Sequence, residues 1–440
     1  MANYSTPAAR MCHKTTGIIH HRIEMRCSLL PRLKLTPMEK SWILYDVANS
    51  AFILQVSTTI PLFFAQLVEE AGFASEDATA LWGGVTAAAV LILAVLSPVL
   101  GALADYRGMK KKLFSAFLAL GLCGAVLLAA VEKWTAFLAV FVAARVGYSA
   151  CNVFYDSMLT DVTEDQRMDM ISSHGYAWGY AGSCIPFIIG ISVLFLGGFS
   201  PRAFRTSFLI TAAWWLLLSV PLLLRVKQRY GLEDRRDKIS HTFRRLRATF
   251  RKVRQDKGLL FFVLGYFCYI DGVYTIIAMA TTYGNEVGID SVQMILALLL
   301  TQFVAFPCAI GSGLLSKRYG PLRMIKVFIL MYAGICVFGY QLDQVWEFWV
   351  LAVAVGVCQG GIQALSRSYF GQIIPKEESN EYFGFFDIFG KFADFFGPLI
   401  ISLCAALLGS STYGILALII LFAAGYALVT LSQQAGGPQK

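Results

Sequence analysis

Between Ser41 and Leu431 the chain is a succession of twelve apolar runs, each long enough to cross a bilayer. A helical span needs about 20 apolar residues. The runs occupy residues 41–68, 79–104, 112–131, 134–158, 171–197, 204–224, 258–284, 292–316, 322–340, 345–370, 382–408 and 413–431. They are continuous rather than alternating, which predicts helices and excludes the short dyad-patterned strands of a barrel. Only 15% of residues are charged against 57% hydrophobic, too few to keep a soluble surface of this size wet.

The connection at 225–257 divides the runs six and six, and it holds 13 Lys or Arg against four acids. Connections inside each half are short, so successive helices run antiparallel. The halves echo each other. GALADYRGMKKK from Gly101 parallels GSGLLSKRYGPLRMIK from Gly311, and YDVANSAF (45–52) parallels YIDGVYTI (269–276). The predicted fold is an all-α membrane protein with twelve transmembrane helices in two pseudo-symmetric six-helix bundles. Its divisions are a tail at 1–40, a bundle at 41–225, a basic linker at 226–257 and a second bundle at 258–440. Initiation at Met25 or Met38 would remove most of the tail. In the linker, Phe243, Leu246, Phe250 and Val253 recur at steps of three and four, one apolar stripe on a basic helix suited to a headgroup layer.

The net charge of +9 is topological rather than a nucleic-acid signal. Only Lys133, Arg202 and Arg205 lie in odd-numbered connections, and Arg145 and Lys391 lie inside runs. The other 32 of the 37 Lys and Arg lie in the tails, in even-numbered connections or in the run ends bordering them. Odd connections are acidic (Glu69, Glu70, Glu76, Asp77). This asymmetry predicts cytoplasmic termini. No phosphate-binding GxxxxGK[ST] occurs, the five histidines do not cluster, and the ten cysteines show no ligand spacing. The chain reads as a non-enzyme with no cofactor and no metal. Its expected partners are the lipid bilayer, a small-molecule solute and protons, without nucleic acid, and a monomer is expected.

Ionisable groups inside apolar runs are the sharper signal, since each costs about 3 kcal/mol at the bilayer centre unless it meets a partner or water. They fall on stripes set by helical spacing. The first run carries Asp46, Asn49 and Ser50. The fourth carries Arg145, Tyr148, Asn152 and Asp156, the seventh Asp271 and Tyr274, and the tenth Gln359, Gln363 and Arg367. Asp46, Asn49, Arg145, Tyr148, Asn152, Asp271, Tyr274, Gln359, Gln363 and Arg367 are therefore candidates to bind substrate or a coupling ion. In the eleventh run Lys391 stands between Asp387 and Asp394, an arrangement that favours gating or structure. After the second run, Asp105 faces Arg107 and three lysines across a turn at Gly108, charges that can pair in one state and part in another. Leu315 replaces Asp105 in the second copy, so that latch is expected on one side only.

The loop GALADYRGMKKK resembles the signature between the second and third helices of the major facilitator superfamily. EKSWILYDVANSAF (39–52), IDGVYTIIAMATTYGNEVG (270–288) and GGIQALSRSYFGQIIPKEESNEYFGFFDIFGKFADFFGPL (360–399) together resemble its vacuole-effluxer-like branch, related to fungal autophagy-linked vacuolar amino-acid effluxers. The resemblance implies that Asp105, Arg107 and Gly108 form a cytoplasmic gate latch and that helices 1, 4, 7 and 10 line a central cavity. It also implies export of small solutes, amino acids foremost, by secondary active transport. Short loops favour a bacterial plasma membrane over a vacuole. Amphiphile transport on the same fold, or a receptor using the basic linker, are the rival expectations.

Overall fold

The computed structural model describes residues 34–233, 238–286, 288–342, 344–408 and 412–436. The first apolar run forms α1 (Pro37–Val56) and α2 (Thr59–Glu70). The first half continues with α3 (Ser75–Ala104), α4 (Met109–Leu127), α5 (Trp134–Val162), α6 (Asp165–Leu196) and α7 (Pro201–Arg225). The basic connection contributes α8 (Lys238–Gln255). The second half is α9 (Lys257–Glu286), α10 (Ser291–Tyr319), α11 (Pro321–Tyr340), α12 (Val345–Ile373), α13 (Ser379–Leu408) and α14 (Thr412–Gln434). With α1 and α2 counted as one span, these make the twelve membrane helices. Ten stretches among the described residues are long and apolar enough to cross a membrane by length and composition alone. The other two are α4, which opens on Lys110, Lys111 and Lys112, and α13, which carries Asp387 and Lys391 in its body.

The first run was expected as one helix, and it breaks after Val56. Ser57 Oγ donates to the Ile53 carbonyl at 3.1 Å and Thr58 Oγ1 to the Leu54 carbonyl at 2.7 Å. These hydroxyls compete for the carbonyls that the helix ladder needs. Pro61, one turn on, has no N–H to restore it, and α2 resumes from a non-helical Thr58 (φ −132°, ψ −76°).

Each half has its own apolar core. One is built on Trp42, Phe52, Phe63, Phe114, Phe141 and Trp215. The other is built on Phe262, Tyr269, Phe328, Tyr332, Phe370 and Phe422. The halves meet along two related seams, α3 on α13 and α6 on α10 and α12. At the first seam the backbones touch. A Cβ on Gly101 would collide with the Asn380 carbonyl, and one on Gly384 would lie 2.6 Å from the Ser97 carbonyl. These contacts sit on the side of the bundle that bears α8, called here the linker side.

The linker helix covers this seam, and its expected single stripe is divided. Thr242 and Thr249 are buried and Leu246 and Val253 half-buried, while Phe243 and Phe250 are exposed. The eight cysteines within the described residues are all free thiols.

Gly101→Ala should lower the thermal midpoint of the purified protein, because overpacking costs about 1–3 kcal/mol. Gly334→Ala is the control. Its Cβ meets nothing within 4 Å, so that change should be neutral or stabilising by up to about 1 kcal/mol. Equal midpoints for the two variants would contradict the backbone contact at the seam.

Candidate functional site

The polar stripes of α1, α5 and α12 converge on Arg367. Its guanidinium leaves α12 and enters the first half. Nη1 donates to Asp156 Oδ1 at 3.0 Å and Nη2 to Asp46 Oδ2 at 3.3 Å. Nε donates to Ser172 Oγ at 3.0 Å and Nη2 to the Ser172 carbonyl at 3.1 Å. The planar group also lies over three rings, with Cζ 4.2 Å from the centroid of Tyr176, 4.7 Å from Trp42 and 5.5 Å from Tyr155. Trp42 stacks on Tyr155 and donates its Nε1–H to the Tyr155 carbonyl at 2.9 Å, which fixes the ring the arginine rests on. Arg367 is 4% exposed. A lysine could supply the charge but not the fork or the stacking.

Away from the linker side, Asn49 donates to Asn152 Oδ1 at 2.8 Å and so ties α1 to α5. Tyr180 of α6 donates to Gln363 Oε1 at 2.9 Å across the halves. Gln359, one turn further along α12, lines a mainly apolar cavity of about 150 Å³ inside the second half, with Thr301, Gln302, Ile277, Phe348 and Leu418 among its walls. Arg145 lies three turns from Asp156 on α5, about 16 Å along the axis. Its guanidinium stands 5.6 Å from the Tyr148 ring centroid. Its Nε and Nη1 are buried with no hydrogen-bond acceptor among the described residues. Buried donors without an acceptor are costly, and an anionic group would satisfy them.

On α9, Asp271 accepts the Gly397 backbone N–H of α13 at 2.8 Å and is almost fully buried, while Tyr274 is half-buried. On α13, Lys391 pairs with Asp387, and Asp387 accepts a hydrogen bond from Ser97 of α3 at 2.5 Å. The Asp394 side chain lies outside the described residues.

The end of α3 is tied to the start of α13. Asp105 Oδ1 accepts the Asn380 backbone N–H at 2.9 Å and its Nδ2 at 3.0 Å, and Oδ2 accepts the Glu381 N–H at 3.3 Å. A carboxylate at a helix N-terminus meets unsatisfied N–H groups and the positive end of the dipole. The cation facing it comes from the linker helix. Arg245 Nη2 donates to Asp105 Oδ2 at 3.0 Å and to Glu381 Oε2 at 2.5 Å. Arg107 is exposed, and its backbone N–H pairs with the Leu232 carbonyl at 3.0 Å. Gly108 takes φ +76°, the left-handed turn that admits glycine freely, and its N–H donates to Gln228 at 2.9 Å. Nearby, Lys110 and Asp161 form a fully buried pair at 2.5 Å. Sequence reasoning missed Arg245, Asn380, Glu381 and Asp161. The one available signal was the line Thr242, Arg245, Thr249 at helical spacing, a face where hydroxyls interrupt the arginines.

Burial pushes the Asp105 carboxyl up to about 6 and that of Glu381 up to about 7, although Arg245 works in the other direction on both. Two carboxylates share one guanidinium, so one proton makes the cluster neutral. Solvated by opening, both groups would return to about 4. The closed form therefore binds more protons between about pH 4 and 7. Acidification from pH 8 to 5.5 should favour closure, as measured by spin-label distances across α3 and α13. Glu381→Gln should flatten that dependence, and an unchanged slope would refute the shared proton.

Residues 81–439 match a family model described as "Vacuole effluxer Atg22 like". An uncharacterized MFS-type transporter of Bacillus subtilis, YxiO, is 43% identical over 405 residues, covering 90% of this chain and 95% of that protein. Among solved structures, the human organic anion transporter MFSD10 superposes with a TM-score of 0.69 at 14% identity, covering 89% of this chain and 99% of that one. FucP, a major facilitator superfamily transporter in the outward conformation, gives 0.68 at 14% identity, covering 91% and 99%. With the family match spanning most of the chain, this multi-pass membrane protein belongs to the Atg22-like vacuole effluxers, transporters of the major facilitator superfamily.

Proposed function

We propose that this transporter exports small carboxylate-bearing solutes, amino acids foremost, by alternating access. The observation that carries the reading is Arg145, half-buried at mid-span, with two buried donors that no described residue accepts. A substrate carboxylate would accept from these donors, beside Tyr148 and two turns along α5 from Asn152, which Asn49 holds. In this reading the linker side is cytoplasmic and sealed, with Arg367 and the Asp105–Arg245–Glu381 cluster as its two closures. Arg367 acts as a closure because Asp46 and Asp156 already occupy it.

Proton coupling would use the same closure. Asp46 and Asp156 share one arginine, so the trio carries one excess negative charge. Asp156 is the more accessible of the two, with 30% of its side chain exposed. Asp271 is held by the Gly397 N–H and is the weaker candidate.

A second reading, transport of amphiphiles, draws on a gap of about 170 Å³ between α6 and α10. It is lined by Phe187, Ile191, Phe195, Ile295 and Leu299 and lies away from the linker side.

Uptake into proteoliposomes across an amino-acid panel tests the first reading. Arg145→Ala should lose at least about tenfold, the value of one charge-assisted contact, and Arg145→Lys should recover part of it. Asp156→Asn should remove stimulation by a pH gradient. Wild-type rates in Arg145→Ala, or equal transport of amino-acid amides, would sink the carboxylate site. Inhibition by lysolipid with no amino-acid uptake would favour amphiphiles.

A further inference from the structure

The linker helix presents two unlike surfaces. Thr242, Arg245 and Thr249 face the seam, and Arg245 holds Asp105 and Glu381 together there. Phe243 and Phe250 each follow a buried threonine by one residue, so their rings stand about 100° round the helix from the buried line. They are 58% and 62% exposed. Arg247 and Arg254 follow them by four residues, on the same flank, and Arg244 and Arg251 lie beyond; all four are exposed. The helix contains no acidic residue. Two aromatic rings in line, bordered by guanidinium groups, match the boundary of an anionic bilayer. The rings enter the acyl edge and the arginine forks meet phosphate oxygens.

We propose that α8 docks on anionic phospholipid and that this docking holds the linker-side closure shut. One rigid helix carries both Arg245 and the aromatic flank, so whatever fixes the helix at the membrane also fixes the guanidinium between the two carboxylates. By linkage, closure and lipid docking must favour each other equally. The occupant follows from charge. Four exposed arginines beside two rings call for a surface of diffuse negative charge with an apolar layer beneath it. Docking of this kind rests on the linker side being a closure, as proposed above, and is independent of the substrate.

The test uses the full-length protein in nanodiscs of phosphatidylcholine alone or with phosphatidylglycerol. Hydrogen exchange reads residues 238–255, and spin-label distances read the α3–α13 seam. With phosphatidylglycerol, exchange in α8 should slow by about tenfold or more, as expected for several basic groups near an anionic surface. The closed fraction should rise in parallel, and 0.5 M salt should reverse both effects. The double variant Phe243→Ser, Phe250→Ser should lose the lipid response while keeping the wild-type closed fraction in phosphatidylcholine. Phe243→Leu, Phe250→Leu should keep part of the response. Identical exchange in the two lipids, or a serine variant that responds like wild type, would overturn the proposal. So would protection of α8 that appears only when a soluble acidic protein is added.

Discussion

A guanidinium buried between two bundles constrains everything around it. Removing an ion from water costs several kcal/mol or more unless geometry and hydrogen bonds repay it. Arg367 is repaid by Asp46, Asp156, Ser172 and three aromatic faces, all supplied by the opposite half. The halves cannot part at this level by degrees. Either the arginine keeps its partners or water must reach it, so intermediate separations are costly and the arrangement favours discrete states.

The second constraint is the asymmetry of the duplicated plan. Where α3 meets α13, the joint is ionic, and it recruits Arg245 from outside both bundles. Where α6 meets α10 and α12, Ser368 and Gln372 both donate to Asp169 at 2.7 Å, and Arg367 reaches across to Ser172. The copy of the latch loop there carries Leu315, which is exposed. Duplication yields two similar seams, and only one of them recruits a cation from the linker helix.

Hydropathy made the spans legible because a bilayer admits few alternatives to a long apolar helix. It could not reveal the break at Ser57, since hydropathy is blind to hydrogen-bond continuity; the hydroxyl run and Pro61 were the local clue. Helical spacing gathered Asp46, Asn49, Asn152, Asp156 and Arg367 correctly onto inward stripes. It could not say which of them would pair, because Arg367 and Asp46 stand 321 residues apart. The partner of Asp271 is a main-chain N–H, which no side-chain pattern announces. Arg245 was hidden among the arginines of a linker whose buried face depends on what it covers.

The close approach of α3 to α13 has a mechanical meaning. Backbone meets backbone at Gly101 and Gly384, where a Cβ would leave no room. At those two points no side chain has to be withdrawn for the helices to separate. Charged contacts with Asp105, Glu381 and Arg245 lie at its linker-side rim, so chemistry there can act on the joint while each bundle keeps its core. Such a contact separates the two cores physically, so a change at the joint need not disturb the packing inside either half.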